Sequence, residues 1–385
     1  MKKILCIVLA VLLLLPLQSI DTIYAESEDI VPESLKSYIL VDYNTGETLI
    51  EKNSQEKLEI ASMVKLMTTL ITMENIENGK YNLDTKFTVS EYAASMEGSE
   101  AFLEPNKEYT LDELLKSVIV ASANDSSVVL AENIAGSEQN FVKMMNDKAK
   151  SLGMNNTLYS NATGLPSTLQ YSTAKDVSIL LREIVNHDIY YNYSRIWMDK
   201  LIHYDGRETE LVNTNRLIRQ YTGCDIGKTG FTDEAGYCLS ASAKRNDMRL
   251  ISVVMGASTT KERFSASEKL LNYGFNNYEN KKIIDKIALI ENDIKVKGSK
   301  NTNIELTFEK DYYYLCKKGE ECKVQIKYEL PKEINAPIKQ GDKIATVYVL
   351  KEGVILDEFN IISKTDCDNL NFRESLDIIY ENWIF

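Results

Sequence analysis

The hydrophobic pattern divides the chain into segments with different periods. Residues 37–53 alternate apolar and polar positions on both sides of Asn44-Thr45-Gly46, which predicts a β-hairpin. Apolar residues then recur at helical spacing, and the capping-box pair Thr110 and Glu113 marks the start of one helix. The expected helices cover residues 62–76, 111–120, 125–134, 137–152 and 173–186, with a loop at 160–168. The middle of the chain is therefore expected to be helical.

After Gly223 the pattern changes to short alternating runs typical of strands. The expected strands cover residues 225–231, 236–244 and 248–255, and a helical period returns over 263–273. A hairpin, a helical block, a meander and a closing helix predict an α+β fold in which helices pack on an antiparallel sheet.

The composition changes again near Lys281, where short β-prone runs are separated by Gly, Asn and Pro. The expected strands cover residues 287–290, 304–308, 322–328, 344–350 and 354–362. These runs predict a small all-β domain over residues 281–365, built like a β-sandwich. We therefore expect two folded domains, the first of them over residues 26–278.

Residues 369–385 form an amphipathic tail in which Phe372, Leu376 and Ile379 lie among acidic residues. A membrane-surface helix usually carries several cations opposite its apolar face, whereas this one offers Arg373 among carboxylates. Two interpretations stay open. The tail is either a peripheral membrane anchor or a helix docked on its own β domain or on a partner.

The N-terminal residues 1–25 have the pattern of a secretory signal. Lys2 and Lys3 precede an apolar run over residues 4–17, and Ala25 is a suitable small residue before the cut. The run is shorter than the roughly 20 residues of a membrane span, so an uncleaved anchor is the weaker alternative. The protein is expected to act outside the cytoplasm, at the membrane or cell wall, as a mature chain beginning near Glu26.

Net charge and cysteine content limit the partners. The formal net charge is −13, and no basic stretch is long enough to follow a phosphate backbone, so a nucleic-acid partner is not expected. Cys316 and Cys322 flank a turn-like insert, which makes them candidates for a local disulfide. There is neither a CxxC pair nor an HExxH motif, and no metal or cofactor is expected.

Histidine is scarce, and this restricts the chemistry. His187 and His203 are the two histidines of the chain, and no GxSxG motif is present to form a Ser-His-Asp hydrolase. We expect both at the surface or at helix ends. A hydrolase built on this sequence is therefore expected to use another base.

A serine and a lysine offer that base. Ser62 and Lys65 are three residues apart, which places hydroxyl and amine on the same face of a helix. A lysine acts as a base only when its amine is neutral, and burial with a second cation nearby lowers its pKa. Taken singly, the Ser-x-x-Lys spacing is weak evidence, because it occurs by chance in most chains of this length.

Two further motifs follow in order and make the pattern specific. Ser122-Ala-Asn124 lies about sixty residues later, and Lys228-Thr-Gly230 follows at a strand. Ser122 can pass a proton to a leaving amine, and Asn124 can hold a peptide carbonyl. Lys228 and Thr229 can bind a carboxylate, while Gly230 lets substrate lie against the strand edge.

With these motifs the sequence resembles the penicillin-binding serine transferases, and within them the low-molecular-mass D-alanyl-D-alanine carboxypeptidases. The resemblance covers about residues 34–275. It also includes Ser122-Ala-Asn-Asp125, Gly153-Met-Asn155, Asn161-Ala-Thr-Gly-Leu-Pro166, Asn213-Thr-Asn215 and the segment from Lys228 to Cys238. The β domain and tail match this subfamily by position and pattern rather than by motif.

The resemblance implies a reaction and a role for each residue. Ser62 would attack the carbonyl between two D-alanines of a peptidoglycan stem peptide and form an acyl-enzyme, with Lys65 as base and Ser122 as proton donor to departing D-alanine. The backbone N–H groups of Ser62 and Phe231 would form the oxyanion hole. Lys228, Thr229 and Arg263 would hold the terminal carboxylate, and β-lactams would acylate Ser62.

Two other functions fit the sequence less well. A β-lactamase of the best-known kind has a deacylating glutamate with asparagine four residues on, and no such pair lies between Asn124 and Lys228. A non-catalytic envelope binder is expected to have lost one of the motif residues, and all are present. Endopeptidase cleavage of cross-bridges, a sporulation role, the third residue of the stem peptide and the oligomeric state stay open.

Overall fold

The computed structural model describes residues 30–301 and 303–383, so the predicted signal segment 1–25 and the last two residues lie outside the described residues. The helices are α1 Lys65–Glu77, α2 Glu91–Ala94, α3 Leu111–Lys116, α4 Asn124–Ala135, α5 Glu138–Ser151, α6 Ala174–Ile184, α7 Asp188–Ser194, α8 Leu217–Gln220, α9 Thr260–Asn277 and α10 Phe372–Trp383. None of the described helices is both long and apolar enough to cross a membrane.

Strands are interspersed with the helices as far as residue 257 and make up most of the chain from residue 278 onward. They are β1 Ser37–Asp42, β2 Thr48–Lys52, β3 Lys86–Thr88, β4 Glu108–Thr110, β5 Met198–Ile202, β6 Glu208–Val212, β7 Cys224–Thr232, β8 Gly236–Arg245, β9 Met248–Ala257, β10 Tyr278–Ile284, β11 Lys295–Lys297, β12 Leu306–Phe308, β13 Tyr312–Lys317, β14 Val324–Tyr328, β15 Glu333–Asn335, β16 Lys343–Lys351 and β17 Val354–Ser363.

A five-stranded antiparallel sheet in the order β2-β1-β9-β8-β7 forms the centre of the first domain. Successive residues of β1 enter opposite cores: Ile39 and Val41 join the helical block, and Leu40 packs towards α9. Every residue of β9 is buried, since helices cover both faces of the sheet. The predicted α+β fold, with helices packed on an antiparallel sheet, is confirmed.

The helical block contains two local departures from the predicted helices. The helix expected over residues 62–76 begins with a 3₁₀ turn at Ala61–Val64, because Ala61 has a φ of 45° and the chain enters the helix through a sharp bend. The helix expected over residues 111–120 starts at the predicted capping box but ends in a π-helical turn, Ser117–Ala121. Both departures lie directly beside motif residues.

The C-terminal half contains the predicted all-β domain. Strands β12-β17-β16-β14 form a four-stranded antiparallel sheet over a core that includes Val347 and Ile361. Cys316 and Cys322 form the candidate disulfide. The strand expected over 287–290 is wrong: the Asp285 carboxylate accepts the N–H of Ile287 in a turn, and the Ile287 side chain points to solvent.

The two domains join without a linker. Helix α9 runs directly into β10, which pairs with β13, so this strand begins before the boundary expected at Lys281. Leu315 of β13 belongs to the core beneath α9, and the Lys318 ammonium donates to the carbonyl of Phe275 at 2.6 Å. The β domain is therefore fastened to the sheet that carries the candidate site.

Candidate active site

Ser62 and Lys65 meet at the start of α1, as the sequence predicts. The Lys65 side chain is 1% exposed, and its Nζ lies 3.1 Å from Ser62 Oγ. The same nitrogen donates to Asn124 Oδ1 at 2.6 Å and to the carbonyl of Thr163. A hydrogen bond from Asn124 Nδ2 to the carbonyl of Glu97 fixes the orientation of the amide, so that Oδ1 faces Lys65.

These contacts suit a neutral amine. Burial, and next the charge of Lys228, hold the pKa of Lys65 well below its ordinary value, although Asp125 opposes the shift. A neutral amine has two hydrogens and one lone pair. With the hydrogens directed at Asn124 and Thr163, the lone pair faces the Ser62 hydroxyl. The arrangement can therefore take the proton from Ser62.

A second lysine and serine face the first pair. Lys228, which is 2% exposed, donates from Nζ to Ser122 Oγ at 2.7 Å and to the carbonyl of Thr229 at 3.1 Å. Burial, and next the charge of Arg263, lower the pKa of Lys228 to about 7. Lys228 can therefore gain and lose its charge near neutral pH, whereas an ordinary lysine stays charged there.

Ser122 is held in a conformation that serine seldom adopts. It has φ 65° and ψ 33° at the end of the π-helical turn, directly before α4, and its side chain is buried. Such left-handed backbone costs of order 1–3 kcal/mol and persists where neighbouring structure fixes it. Here it aims the hydroxyl at Lys228.

Two glycines allow the backbone around Ser62 to approach other segments closely. A Cβ on Gly164 would lie 2.0 Å from the carbonyl oxygen of Ala61, and one on Gly230 would lie 2.7 Å from that of Ile60 and 3.2 Å from the nitrogen of Ser62. Strand β7 and the loop that contains Thr163 thus pack from two sides against residues 60–62, called the nucleophile turn below. Gly230 permits this approach, a use that the sequence did not predict.

The remaining predicted residues lie around β7. Phe231 is half exposed and stacks on Tyr237 with ring centroids 4.3 Å apart. Thr229 is buried. Arg263 is also buried; its Nη1 donates to the carbonyl of Gly230 at 3.1 Å, while its Nε has no hydrogen-bond partner among the described residues. Carboxylate binding by Arg263 stays a prediction.

Three residues that build the site, Asp125, Thr163 and Glu97, have no predicted role in the sequence. The Asp125 carboxylate accepts the N–H groups of Ala101 and Leu103, which ties the loop between α2 and β4 to the start of α4. Thr163 supplies the carbonyl for Lys65, and Glu97 supplies the one for Asn124. Asp125 and Thr163 lie within motifs that carry the family resemblance, and this position was the only sign of their importance in the sequence. A backbone carbonyl is common to every residue type, so its role cannot be predicted from the identity of the side chain.

Neither histidine belongs to the site. His203 is buried in the β5–β6 hairpin, where its two nitrogens lie 2.9 Å from Tyr109 Oη and 2.8 Å from Thr209 Oγ1. His187 is at a helix end, the N-cap position of α7, and is buried as well. The expected surface position is therefore wrong for His203, because the hairpin encloses a polar ring whose two nitrogens are both partnered.

A serine beside a buried lysine, faced by a second serine and lysine, is typical of active-serine acyl-transfer enzymes that do without histidine. The chain matches the D-alanyl-D-alanine carboxypeptidase family over residues 25–259, and the C-terminal domain of penicillin-binding protein 5 over residues 278–369. The chain therefore belongs to the D-alanyl-D-alanine carboxypeptidase family.

Individual relatives agree. The chain is 42% identical over 349 residues to D-alanyl-D-alanine carboxypeptidase DacF of Bacillus subtilis, covering 90% of each chain. Penicillin-binding protein 5 of Haemophilus influenzae has a similar solved structure, with a TM-score of 0.70, 31% identity and coverage of 87% of this chain and 98% of that one. The ampicillin-bound penicillin-binding protein D2 of Listeria monocytogenes matches with a TM-score of 0.54, 32% identity and coverage of 63% and 98%.

The two lysines should give a pH profile with two limbs. Below the depressed pKa of Lys65, kcat/KM should fall about tenfold per pH unit because the base becomes protonated. Above about pH 7, it should fall again as Lys228 loses the charge that attracts a carboxylate. The measurement is kcat/KM for a D-Ala-D-Ala peptide from pH 5 to 10. A continuous rise towards pH 10, as an ordinary lysine base would give, contradicts this; Lys228→Arg should abolish the alkaline limb.

The close approach of Gly164 can be tested by one methyl group. Gly164→Ala should lower the acylation rate by about 100-fold, because the segment before Ser62 must shift by an ångström or more. Gly153→Ala is the matched control: both glycines have positive φ, but a Cβ on Gly153 meets nothing within 4 Å. Acylation by a fluorescent penicillin measures the rate. Equal losses in the two variants would show that backbone strain, rather than the contact, is responsible.

Proposed function

We propose that this protein is a serine carboxypeptidase that removes the terminal D-alanine from peptidoglycan stem pentapeptides through an acyl-enzyme on Ser62. The observation that carries the proposal is the contact of Ser62 Oγ with the buried Lys65 amine at 3.1 Å. Family membership supports the activity, and the geometry supports the division of roles among the residues.

In acylation, Ser62 Oγ attacks the carbonyl carbon between the two D-alanines while its proton passes to Lys65 Nζ. The tetrahedral oxyanion is bound by the backbone N–H groups of Ser62 and Phe231. The closeness of β7 to the nucleophile turn at Gly230 supports this pairing, since it brings the two backbone segments together.

Collapse of the intermediate breaks the C–N bond and releases D-alanine, whose nitrogen needs the proton that Lys65 received. Ser122 Oγ, backed by Lys228 at 2.7 Å, is the proposed carrier. Water then attacks the acyl-enzyme, with Lys65 again neutral and able to accept its proton. The products are the shortened peptide and free Ser62.

Preference for the C-terminal end of a peptide is proposed to come from positive side chains that attract its terminal carboxylate. Lys228, Thr229 and Arg263 are proposed to bind the terminal carboxylate, and the influence of Arg263 on the pKa of Lys228 supports two cations near one point. Asn124 is proposed to hold a substrate carbonyl through its amide, in addition to its contact with Lys65. A β-lactam presents a similar carboxylate beside a reactive carbonyl, so penicillins are expected to acylate Ser62.

Action outside the cytoplasm is part of the proposal. The signal-like residues 1–25 support export, and so does the disulfide between Cys316 and Cys322, since disulfides persist in oxidising compartments. The substrate, peptidoglycan, would be met there.

Ser62→Ala tests the nucleophile. Release of D-alanine from a pentapeptide ending in D-Ala-D-Ala should fall by more than about 10³-fold, because the covalent route is lost. Ser95→Ala, which changes an exposed serine, should leave release unchanged. Mass spectrometry after penicillin treatment should place the adduct on Ser62 in the unaltered chain. Equal release by Ser62→Ala and the unaltered protein would refute the carboxypeptidase mechanism.

We propose also that α10 contacts the membrane surface. Phe372 is 81% exposed and Ile379 58%, so the described apolar side chains of this helix are not docked on the β domain. They recur at spacings of three and four residues, on one face of the helix. Few cations accompany them, so apolar burial rather than anionic lipid should supply the attraction.

Vesicle flotation tests the tail. The full chain should bind phosphatidylethanolamine–phosphatidylglycerol vesicles, and a chain ending before Asn369 should not. Phe372→Asp with Ile379→Asp should reduce binding as strongly as the truncation, whereas Asp377→Asn, on a polar position, should not. Binding should change little with the anionic fraction. Equal binding by the full and truncated chains would rule out the anchor.

A further inference from the structure

A group of metal-ligating side chains lies outside the catalytic site, at the far end of the helix that begins with Lys65. Single ligand atoms of Glu74, Glu183 and His187 all lie within 4.8 Å of one another. Glu74 belongs to the last turns of α1, Glu183 to the last turn of α6, and His187 is the N-cap residue of α7. At 1.5 Å per residue, Glu74 is about 14 Å along α1 from Lys65.

The imidazole of His187 is buried, and only one of its two nitrogens has a hydrogen-bond partner among the described residues. The residue is 8% exposed, and its Nδ1 lies 2.7 Å from Glu77 Oε2. Its buried Nε2 has no hydrogen-bond partner among the described residues and lies 3.8 Å from Glu183 Oε1. With Nδ1–H donating to Glu77, the lone pair of Nε2 is left for a ligand on the side of Glu183. A carboxylate behind a histidine is the usual support of a metal-binding imidazole.

The electrostatics of this corner favour a cation. The C-terminal ends of α1 and α6 converge there, and each carries negative partial charge in addition to the carboxylates of Glu74, Glu77 and Glu183. Lys148 pairs with Glu74. Arg182, the basic residue in the last turn of α6, donates instead to the carbonyls of Tyr43 and Asn44. Three carboxylates thus face one ammonium group and an imidazole.

We propose that Glu74, Glu183 and His187 bind a divalent transition metal of the Zn²⁺ class, with Glu77 as the residue that orients the imidazole. One nitrogen and two carboxylate oxygens, with water at the open side, suit such an ion. Ligand atoms on one tetrahedral Zn²⁺ lie about 3.3 Å apart, so the glutamates must close in slightly. Both glutamate side chains are partly exposed, so each can move by this amount, Glu74 together with its partner Lys148.

The ion would fasten the ends of α1 and α6 to the start of α7. It lies outside the catalytic centre and takes no part in the reaction, and it departs from the sequence-based expectation that the chain binds no metal. Lys148 can keep one oxygen of Glu74 or release it, since its side chain is 23% exposed. The competing arrangement is the cluster without an ion, in which His187 is held by its hydrogen bond to Glu77 and Lys148 by its pairing with Glu74.

Isothermal titration of Zn²⁺ into the untagged, chelator-treated chain from Glu26 onward, at pH 7.5, distinguishes the two. We expect one ion per chain. Glu183→Gln and His187→Gln should each weaken binding by about 100-fold or abolish it, and Glu77→Gln should weaken it 10–100-fold. Acylation by a fluorescent penicillin verifies that each variant is folded.

His203→Gln is the matched control, because His203 is also buried but both its nitrogens already have partners. Its Zn²⁺ affinity should stay within twofold of that of the unaltered chain. Absence of binding to the unaltered chain, or equal binding by it and Glu183→Gln, would overturn the metal site and leave the cluster without an ion as the arrangement. Weakened binding by His203→Gln alone would place the ion elsewhere and overturn the proposal equally.

Discussion

The site depends on keeping one lysine amine uncharged inside the protein. Transfer of an ammonium group from water into a buried site is costly, and the group avoids the cost by releasing its proton. Lys65 is fully enclosed, receives carbonyl partners for its two hydrogens from Asn124 and Thr163, and has the charge of Lys228 nearby. The same burial that would destabilise a charged lysine makes this one a base, so the surrounding fold is part of the chemistry.

That requirement explains why the nucleophile is enclosed by three separate segments. The loop at residues 160–168 contributes Thr163, the start of α4 contributes Asn124, and β7 contributes Lys228. Their approach is possible because Gly164 and Gly230 have no Cβ, which would meet the backbone before Ser62. The enclosing segments belong to different layers of the fold, so the sheet, the helical block and the loop between them must all be in place before Lys65 can act.

The sequence predicted the fold class, most helices and strands, the capping box and the candidate residues, because these depend on local periodicity and on ordered motifs. It missed features that arise from tertiary contact. Neither the π-helical turn before Ser122 nor the positive φ of Ala61 is encoded in the local pattern of apolar and polar residues. Residues 287–290 are apolar enough for a strand, yet the Asp285 turn ends β10 and leaves Ile287 exposed. Carbonyl partners such as that of Thr163 carry no side-chain signature.

Helix α1 links the catalytic site to the rest of the domain through both of its ends. Its first turn is positioned by backbone contact with β7 and the Gly164 loop, whereas its last turns rely on side chains, with Glu74 paired to Lys148 and Glu77 bound to His187. The two ends therefore differ: uncharged backbone segments pack closely where the amine must stay neutral, and charged side chains are concentrated where the helix ends. A cation at the charged end would stabilise the helix without raising the polarity around Lys65, because about 14 Å of buried helix separates the two environments. The separation allows one helix to carry a neutral base at its beginning and an ionic anchor at its end.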